Sequence, residues 1–340
     1  MLKRHSEIPI YIQLAETIRQ QISSGIILPG DKLPSESEMQ KKYGVARLTV
    51  REALSVLVNE GLLEKKHGKG TFCRNKKKIS SVDVLLNMSD YYFIPYYIQS
   101  ISNVLDSHDV NFIVGDTKDS CAEIIKLLNK IIQRGSDGVI LQASPETEFD
   151  NTSILSTFEN LNRANIPLVQ IDAAYDTKNF SYVIMNEEKI GEIAAKYLLD
   201  NGHKKIATVL MPNNRISDMR MKCAKKIFDQ IYEINSEENL VAKIQLAYKN
   251  GVSAIYCFND DIAKKCYDSI VALNLSVPHD ISLISVDDTA VSKLYNITSV
   301  SHAKGKLGEV AASSIVKNNL PIRKVFEPVL TERLSVKKLN

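Results

Sequence analysis

The chain has 340 residues, 44% hydrophobic and 24% charged, and a formal net charge of +3. That mass suits two domains of unequal size, with enough apolar residues for a core that needs no covalent staple. No stretch approaches ~18 consecutive apolar residues, which excludes a membrane-spanning helix, and Met1–Glu7 is not followed by the apolar run of a secretion signal.

Charge is uneven along the chain. Residues 1–80 hold 15 Lys and Arg against 8 Asp and Glu, a balance of +7, and the remainder carries −4. A basic head on a near-neutral body is the pattern of a polyanion-binding module joined to something else. In the head, Ile10, Leu14, Ile18 and Ile22 recur at helical spacing, and the helix ends near Gly25. A second helix opens at Pro34-Ser35-Glu36-Ser37-Glu38, where Ser35 is the expected N-cap and Glu38 completes a capping box. A third runs from Ala46 to Asn59. On it Val50, Ala53, Leu54 and Leu57 share one face, while Arg47, Leu48, Arg51 and Ser55 share another. The tight Tyr43-Gly44-Val45 turn makes the last two a helix-turn-helix, whose second helix can enter a major groove. Arginine suits that place because its rigid fork matches guanine edges or phosphate oxygens. Two strand-like pieces, Leu62–Lys66 and Thr71–Cys73, flank a basic hairpin tip at His67-Gly68-Lys69-Gly70.

Residues 74–81 are polar and aperiodic and read as a basic linker between a domain at 1–73 and another at 82–340. Beyond it, apolar runs at 82–88, 110–115, 138–142, 168–173, 205–211, 254–258 and 281–286 alternate with helical stretches such as Ala122–Arg134 and Glu187–Asn201. This rhythm predicts an α/β body of doubly wound parallel sheets, and its length favours two lobes. Polar groups follow the strand ends, where open α/β sheets place ligands: Asp172, Asn259, Asp260 and Asp287, with Arg220 near a helix start. Such groups suit the hydroxyls of a neutral sugar. With no tryptophan in the chain, Tyr92, Phe93 or Phe258 would stack on it; Asp260 is the acid most expected to be only a helix cap. No dinucleotide fingerprint, Walker sequence or G-x-S-x-G is present, and the six histidines have no metal-ligand spacing, so no enzyme activity, cofactor or metal is expected. The five cysteines, irregularly spaced, read as buried thiols of a cytoplasmic protein.

Residues 8–73, with Pro9-Ile10-Tyr11, Gly30-Asp31-Lys32-Leu33-Pro34-Ser35-Glu36, Tyr43–Leu54 and Gly68-Lys69-Gly70-Thr71-Phe72, resemble the winged helix-turn-helix of GntR-type transcription regulators. The resemblance implies that Ser35 and Glu36 lie beside the DNA backbone and that Arg47, Thr49 and Arg51 address bases and phosphates. It also sends His67, Gly68 and Lys69 at the wing tip into the minor groove. Leu48 departs from the usual polar residue and would make an apolar contact, for example with a thymine methyl. Residues 80–336, with Gly202-His203-Lys204-Lys205-Ile206, Ile255–Ala263 and Val277–Asp288, resemble the periplasmic-binding-protein-like effector domain of LacI-type regulators. Here the resemblance assigns Asp172, Arg220, Asn259 and Asp287 to sugar contacts and turns His302 toward the ligand. The two together resemble the arabinose-responsive repressors of Gram-positive bacteria. This implies a homodimeric, cytoplasmic repressor that leaves double-stranded operator DNA on binding a small sugar, with L-arabinose first and another sugar or a nucleoside as the alternative. A sugar-binding protein without regulatory role would lack the basic head. Tyr232–Leu240 leaves little room for the strand such relatives carry there, and one residue is inserted around Tyr92–Pro95.

Overall fold

A computed structural model describes residues 8–73, 79–88, 94–144 and 151–339. The chain divides into two compact units, Met1–Lys78 and Ile79–Asn340. Most of the expected linker (74–78), together with Tyr92 and Phe93, lies outside the described residues.

In the first unit, helix α1 (Ile10–Ser23) lays Leu14 and Ile18 against α3 (Arg47–Asn59), which buries Val50, Ala53, Leu54 and Leu57 on one face. Between them α2 (Glu36–Tyr43) begins with the expected capping box: Ser35 Oγ accepts from Glu38 N at 3.3 Å, and Glu38 Oε2 accepts from Ser35 N at 2.7 Å. Gly44 closes α2 in the left-handed region at φ 64°, which glycine adopts without a Cβ penalty. Strands β1 (Leu63–Lys66) and β2 (Gly70–Cys73) form an antiparallel hairpin with Lys66 opposite Gly70. The segment before α2 joins them, since Leu33 N donates to Thr71 O and Cys73 N to Asp31 O, so the wing is anchored to the helical core.

The second unit has two six-stranded sheets. One has the order β13-β7-β6-β5-β3-β4, from β3 (Ser81–Leu86), β4 (Asn111–Asp116), β5 (Val139–Gln142), β6 (Leu168–Asp172), β7 (Ser181–Met185) and β13 (Arg323–Phe326). The other has the order β14-β12-β11-β10-β8-β9, from β8 (Ile206–Leu210), β9 (Ile231–Asn235), β10 (Ala254–Cys257), β11 (Ser282–Asp287), β12 (Thr298–Ser301) and β14 (Leu330–Thr331). All neighbours run parallel except β14 against β12. Central strands such as β5 and β8 are buried throughout, as parallel strands covered on both faces must be.

The chain passes between the lobes three times: after β7 into α7 (Glu187–Asp200), after β12 into α12 (Lys304–Val316), and from β13 to β14. Helix α7 packs on β10, β11 and β12, whereas α12 packs on β6, β7 and α4 (Ile94–Asp106). Two expectations are corrected. Ser81 belongs to β3 and not to the linker. The stretch judged too short for a strand contains β9, which needs only five residues because it sits at a sheet edge and pairs with β8 alone.

Candidate functional site

On the head, Arg47 and Arg51 stand one turn apart on the outer face of α3, both more than half exposed, with Leu48 64% exposed beside them. Neither guanidinium is idle. Glu36 Oε2 lies 2.9 Å from Arg47 Nε and 3.2 Å from Arg51 Nη2, so one carboxylate from the first turn of α2 orients both. Those two hydrogen bonds, Arg51 first, pull the Glu36 carboxyl down to about 2. Thr49 is half-buried, while Ser35 and the His67-Gly68-Lys69 tip are exposed. The hydroxyl of Ser35 is engaged by its own capping box, donating to Glu38 at 2.8 Å.

In the body, a cavity of about 740 Å³ lies against the carboxyl ends of strands from both lobes. Asp172, Arg220, Asn259, Asp287 and His302 all line it. Asp172 ends β6 at φ 70° and Asp287 ends β11 at φ 113°, a left-handed backbone that non-glycine residues adopt only where surrounding structure enforces it. His302, in the crossover after β12, donates from Nε2 to Asp172 Oδ1 at 3.1 Å, and Gln142 Nε2 donates to Asp172 Oδ2 at 3.0 Å. Burial opposes ionisation of Asp172, but His302 and then Gln142 outweigh it and bring the carboxyl to about 2. Burial and the nearby Lys304 would lower the His302 imidazole; the hydrogen bond to Asp172 and the ion pair with Glu187 Oε1 at 3.6 Å hold it above its ordinary value.

Arg220, on α8 (Arg215–Lys225), is buried. It donates Nε and Nη2 to Glu187 Oε2 at 2.9 and 2.6 Å and Nη1 to Phe258 O at 2.6 Å, and its guanidinium stacks 4.7 Å from the Phe258 ring. Asp287 Oδ1 takes the Lys304 ammonium at 2.7 Å. Burial dominates this pair, raising Asp287 to about 6 and lowering Lys304. Asn259 lines the cavity while its Oδ1 caps α10 (Asp260–Ala272) by accepting from Ile262 N at 2.9 Å. The capping residue is therefore Asn259 and not Asp260. Fully buried Asp260 instead accepts from Thr289 N and Oγ1 and from the Ser285 and Ser299 hydroxyls, tying the ends of β10, β11 and β12 together.

Residues 10–73 match the family of bacterial regulatory proteins called gntR, and residues 195–336 match a periplasmic binding protein-like domain. An arabinose metabolism transcriptional repressor of Halalkalibacterium halodurans is 26% identical over 90% of this chain and 88% of its own length. One of the same description from Geobacillus stearothermophilus is 26% identical over 92% of both. Among solved structures, a LacI family regulator from Enterococcus faecium with bound ribose superposes with a TM-score of 0.65 at 18% identity, over 77% of this chain and 100% of that one. The protein is a transcriptional repressor of gntR type with a periplasmic-binding-protein-like body. Its relatives are regulators and not enzymes.

Sequence reasoning did not single out two polar residues of the repressor's cleft, Glu187 and Gln142, nor Lys304, which pairs with the cleft residue Asp287. Glu187 follows β7, a strand of five residues with the apolar run Tyr182–Met185 that the sequence reading did not include. Gln142 sits at the end of a recognised strand and was available by the same rule that found Asp172. Lys304 opens α12 two residues before the exposed Lys306, with nothing in its local pattern to mark it as only 4% exposed.

Proposed function

We propose that the repressor grips double-stranded operator DNA through the outer face of α3 and the wing, and releases it when L-arabinose enters the body's cleft. In this reading residues 1–73 form the DNA-binding domain, a linker follows to Ser80, and the remainder binds the effector and pairs the chain as a cytoplasmic homodimer. Ser35, Glu36, Arg47, Leu48, Thr49, Arg51 and the His67-Gly68-Lys69 tip would meet the duplex, and Asp172, Arg220, Asn259, Asp287 and His302 the sugar.

The observation that carries the reading is the convergence of Asp172, Arg220, Asp287 and His302, from two lobes and a crossover, on one cavity. Its volume lies in the range of small-molecule sites. The similarity to arabinose repressors over nine-tenths of the chain supports the choice of sugar. Release needs only that sugar and operator prefer different arrangements of the chain, with coupling of roughly 1–3 kcal/mol.

Calorimetry of the full chain against a panel of aldopentoses, aldohexoses and nucleosides tests the effector, and a gel shift with operator DNA tests release. L-arabinose is expected to bind and to free the DNA. Binding of a different pentose alone would move the assignment within the sugar class, a reading favoured by the ribose-bound neighbour of the same fold.

A further inference from the structure

The first crossover places a carboxylate in the cleft at a point where both lobes meet it. Glu187 is the first residue of α7, directly after β7, and is 6% exposed. Its two oxygens differ. Oε2 is occupied by Arg220, but Oε1 is buried and accepts no hydrogen bond from the described residues, with His302 Nε2 beside it at an ion-pair distance of 3.6 Å. The end of β11 repeats the arrangement: Asp287 holds Lys304 with Oδ1, while Oδ2 is buried and accepts no hydrogen bond from the described residues. Both residues line the same cavity.

A buried acceptor on an ionised group is costly when no donor reaches it. Two in one cleft call for an occupant that brings donors. Hydroxyl groups do so; a carboxylate or phosphate brings further acceptors and more negative charge. Among the described residues the lining holds six carboxylates against three cationic side chains, and the buried Arg220 guanidinium is held by Glu187 and Phe258 and stacked on a ring. Among the described residues of the lining, Arg220, Lys265 and His302 are each already paired with a carboxylate, so none of these three cations is set aside for an anion.

We infer that Glu187 contacts the effector directly, accepting through Oε1 from one hydroxyl of a neutral polyhydroxy ligand, and that it determines specificity for uncharged sugars. The inference rests on the effector reading of this cleft. It adds a role to the hinge: the same side chain that takes the hydroxyl positions Arg220 on the other lobe, so ligand contact and lobe arrangement meet in one residue.

The test is a mutant cycle between the protein and single ligand hydroxyls, by calorimetry on the full chain. The probes are L-arabinose, its monodeoxy and monodeoxyfluoro analogues, which keep the shape but lose one donor each, and D-galacturonate with D-galactose as its neutral size control. In the wild type one analogue is expected to lose at least tenfold relative to the parent sugar, and galacturonate to bind at least tenfold more weakly than galactose or not at all. In Glu187→Gln the parent sugar is expected to lose about tenfold, and the penalty for that analogue to shrink below threefold. A residue that only held Arg220 in place would lower all affinities and leave the discrimination unchanged, and that result overturns the inference. Should Glu187→Gln lose its melting transition, Glu187→Asp retains the charge while withdrawing the oxygen, and the same collapse of discrimination is expected. Tight binding of galacturonate overturns the inference while leaving the cleft as the effector site. Absence of binding by every neutral sugar of the wider panel overturns the effector reading and this inference together.

Discussion

His302 Nε2 lies 3.1 Å from Asp172 Oδ1, a bond that ties the second crossover to the end of β6. Burial alone would strip the proton from such an imidazole, yet the two carboxylates facing it keep its affinity for the proton above the ordinary value. The pair's contribution to stability is therefore complete below the unfolded histidine value of ~6.5 and is lost as pH rises through the raised folded value. Asp172, pulled to about 2, stays ionised throughout that window. His302→Gln is expected to lower stability by on the order of 3 kcal/mol near pH 6, because it leaves a buried carboxylate without its cation. The deficit should narrow toward pH 9. Melting curves of both proteins from pH 5 to 9 check this, and a deficit independent of pH would show that packing is lost and not charge.

On the head, the relation of Glu36 to Arg47 and Arg51 makes a different prediction. Arg47→Ala and Arg51→Ala are each expected to weaken operator binding by roughly 1–3 kcal/mol per lost base contact. Glu36→Gln should barely change the melting temperature, since exposed ion pairs contribute ~0–1 kcal/mol. It removes a negative charge that competes with phosphate for both arginines. Affinity for a scrambled duplex should rise several-fold and more than affinity for operator, so discrimination falls. Gel shifts with both duplexes at one fixed salt concentration measure the ratio, and an unchanged ratio would mean that Glu36 neither masks nor aims the arginines.

The head was legible almost residue by residue because its signals are local. A capping box, a glycine turn and an amphipathic helix each declare themselves within a dozen residues, and Ser35, Gly44 and Val50 sit where those patterns put them. The body was legible where strands are buried on both faces and read as unbroken apolar runs. Edge and crossover strands were not, because Ile231–Asn235 and Arg323–Phe326 are half-exposed and look like loops. The same limit hid Glu187 and Lys304. Each is held by a partner on a different element, Arg220 for Glu187 and Asp287 for Lys304, a relation between separate segments that leaves no periodic trace.

Asp287 offers the sharpest separation of sugar sensing from DNA binding. Its side chain is buried at the end of β11, with one oxygen on Lys304 and the other accepting no hydrogen bond from the described residues. Asp287→Ala is expected to raise the sugar concentration needed for half-release of operator at least tenfold, with operator affinity in sugar-free buffer as the reference. Lys304 then loses its counter-ion, and burial, which already lowers its proton affinity, drives it toward the neutral amine. Release at the wild-type sugar concentration would place the effector elsewhere.

The last prediction concerns the contact that carries Arg220. Helices α7 and α8 approach so closely at Gly191 that a Cβ there would stand 2.9 Å from the Arg220 carbonyl oxygen, 3.0 Å from its Cα and 3.1 Å from Cys223 Cβ. Two of these neighbours are backbone and cannot swing aside, so Gly191→Ala must push α8 away from α7. Overpacking of this kind costs roughly 1–3 kcal/mol, more than the ~1 kcal/mol that alanine gains over glycine in a helix. The displaced helix would draw Arg220 off Glu187, so sugar affinity should fall along with the melting temperature. Gly305→Ala is the control: it lies in the first turn of α12, and a Cβ there would meet nothing within 4 Å. That variant should melt at or slightly above the wild type. If Gly191→Ala did the same, the two helices would not be packed as closely as described, and the Glu187–Arg220 pair would lose the support that holds it in the cleft.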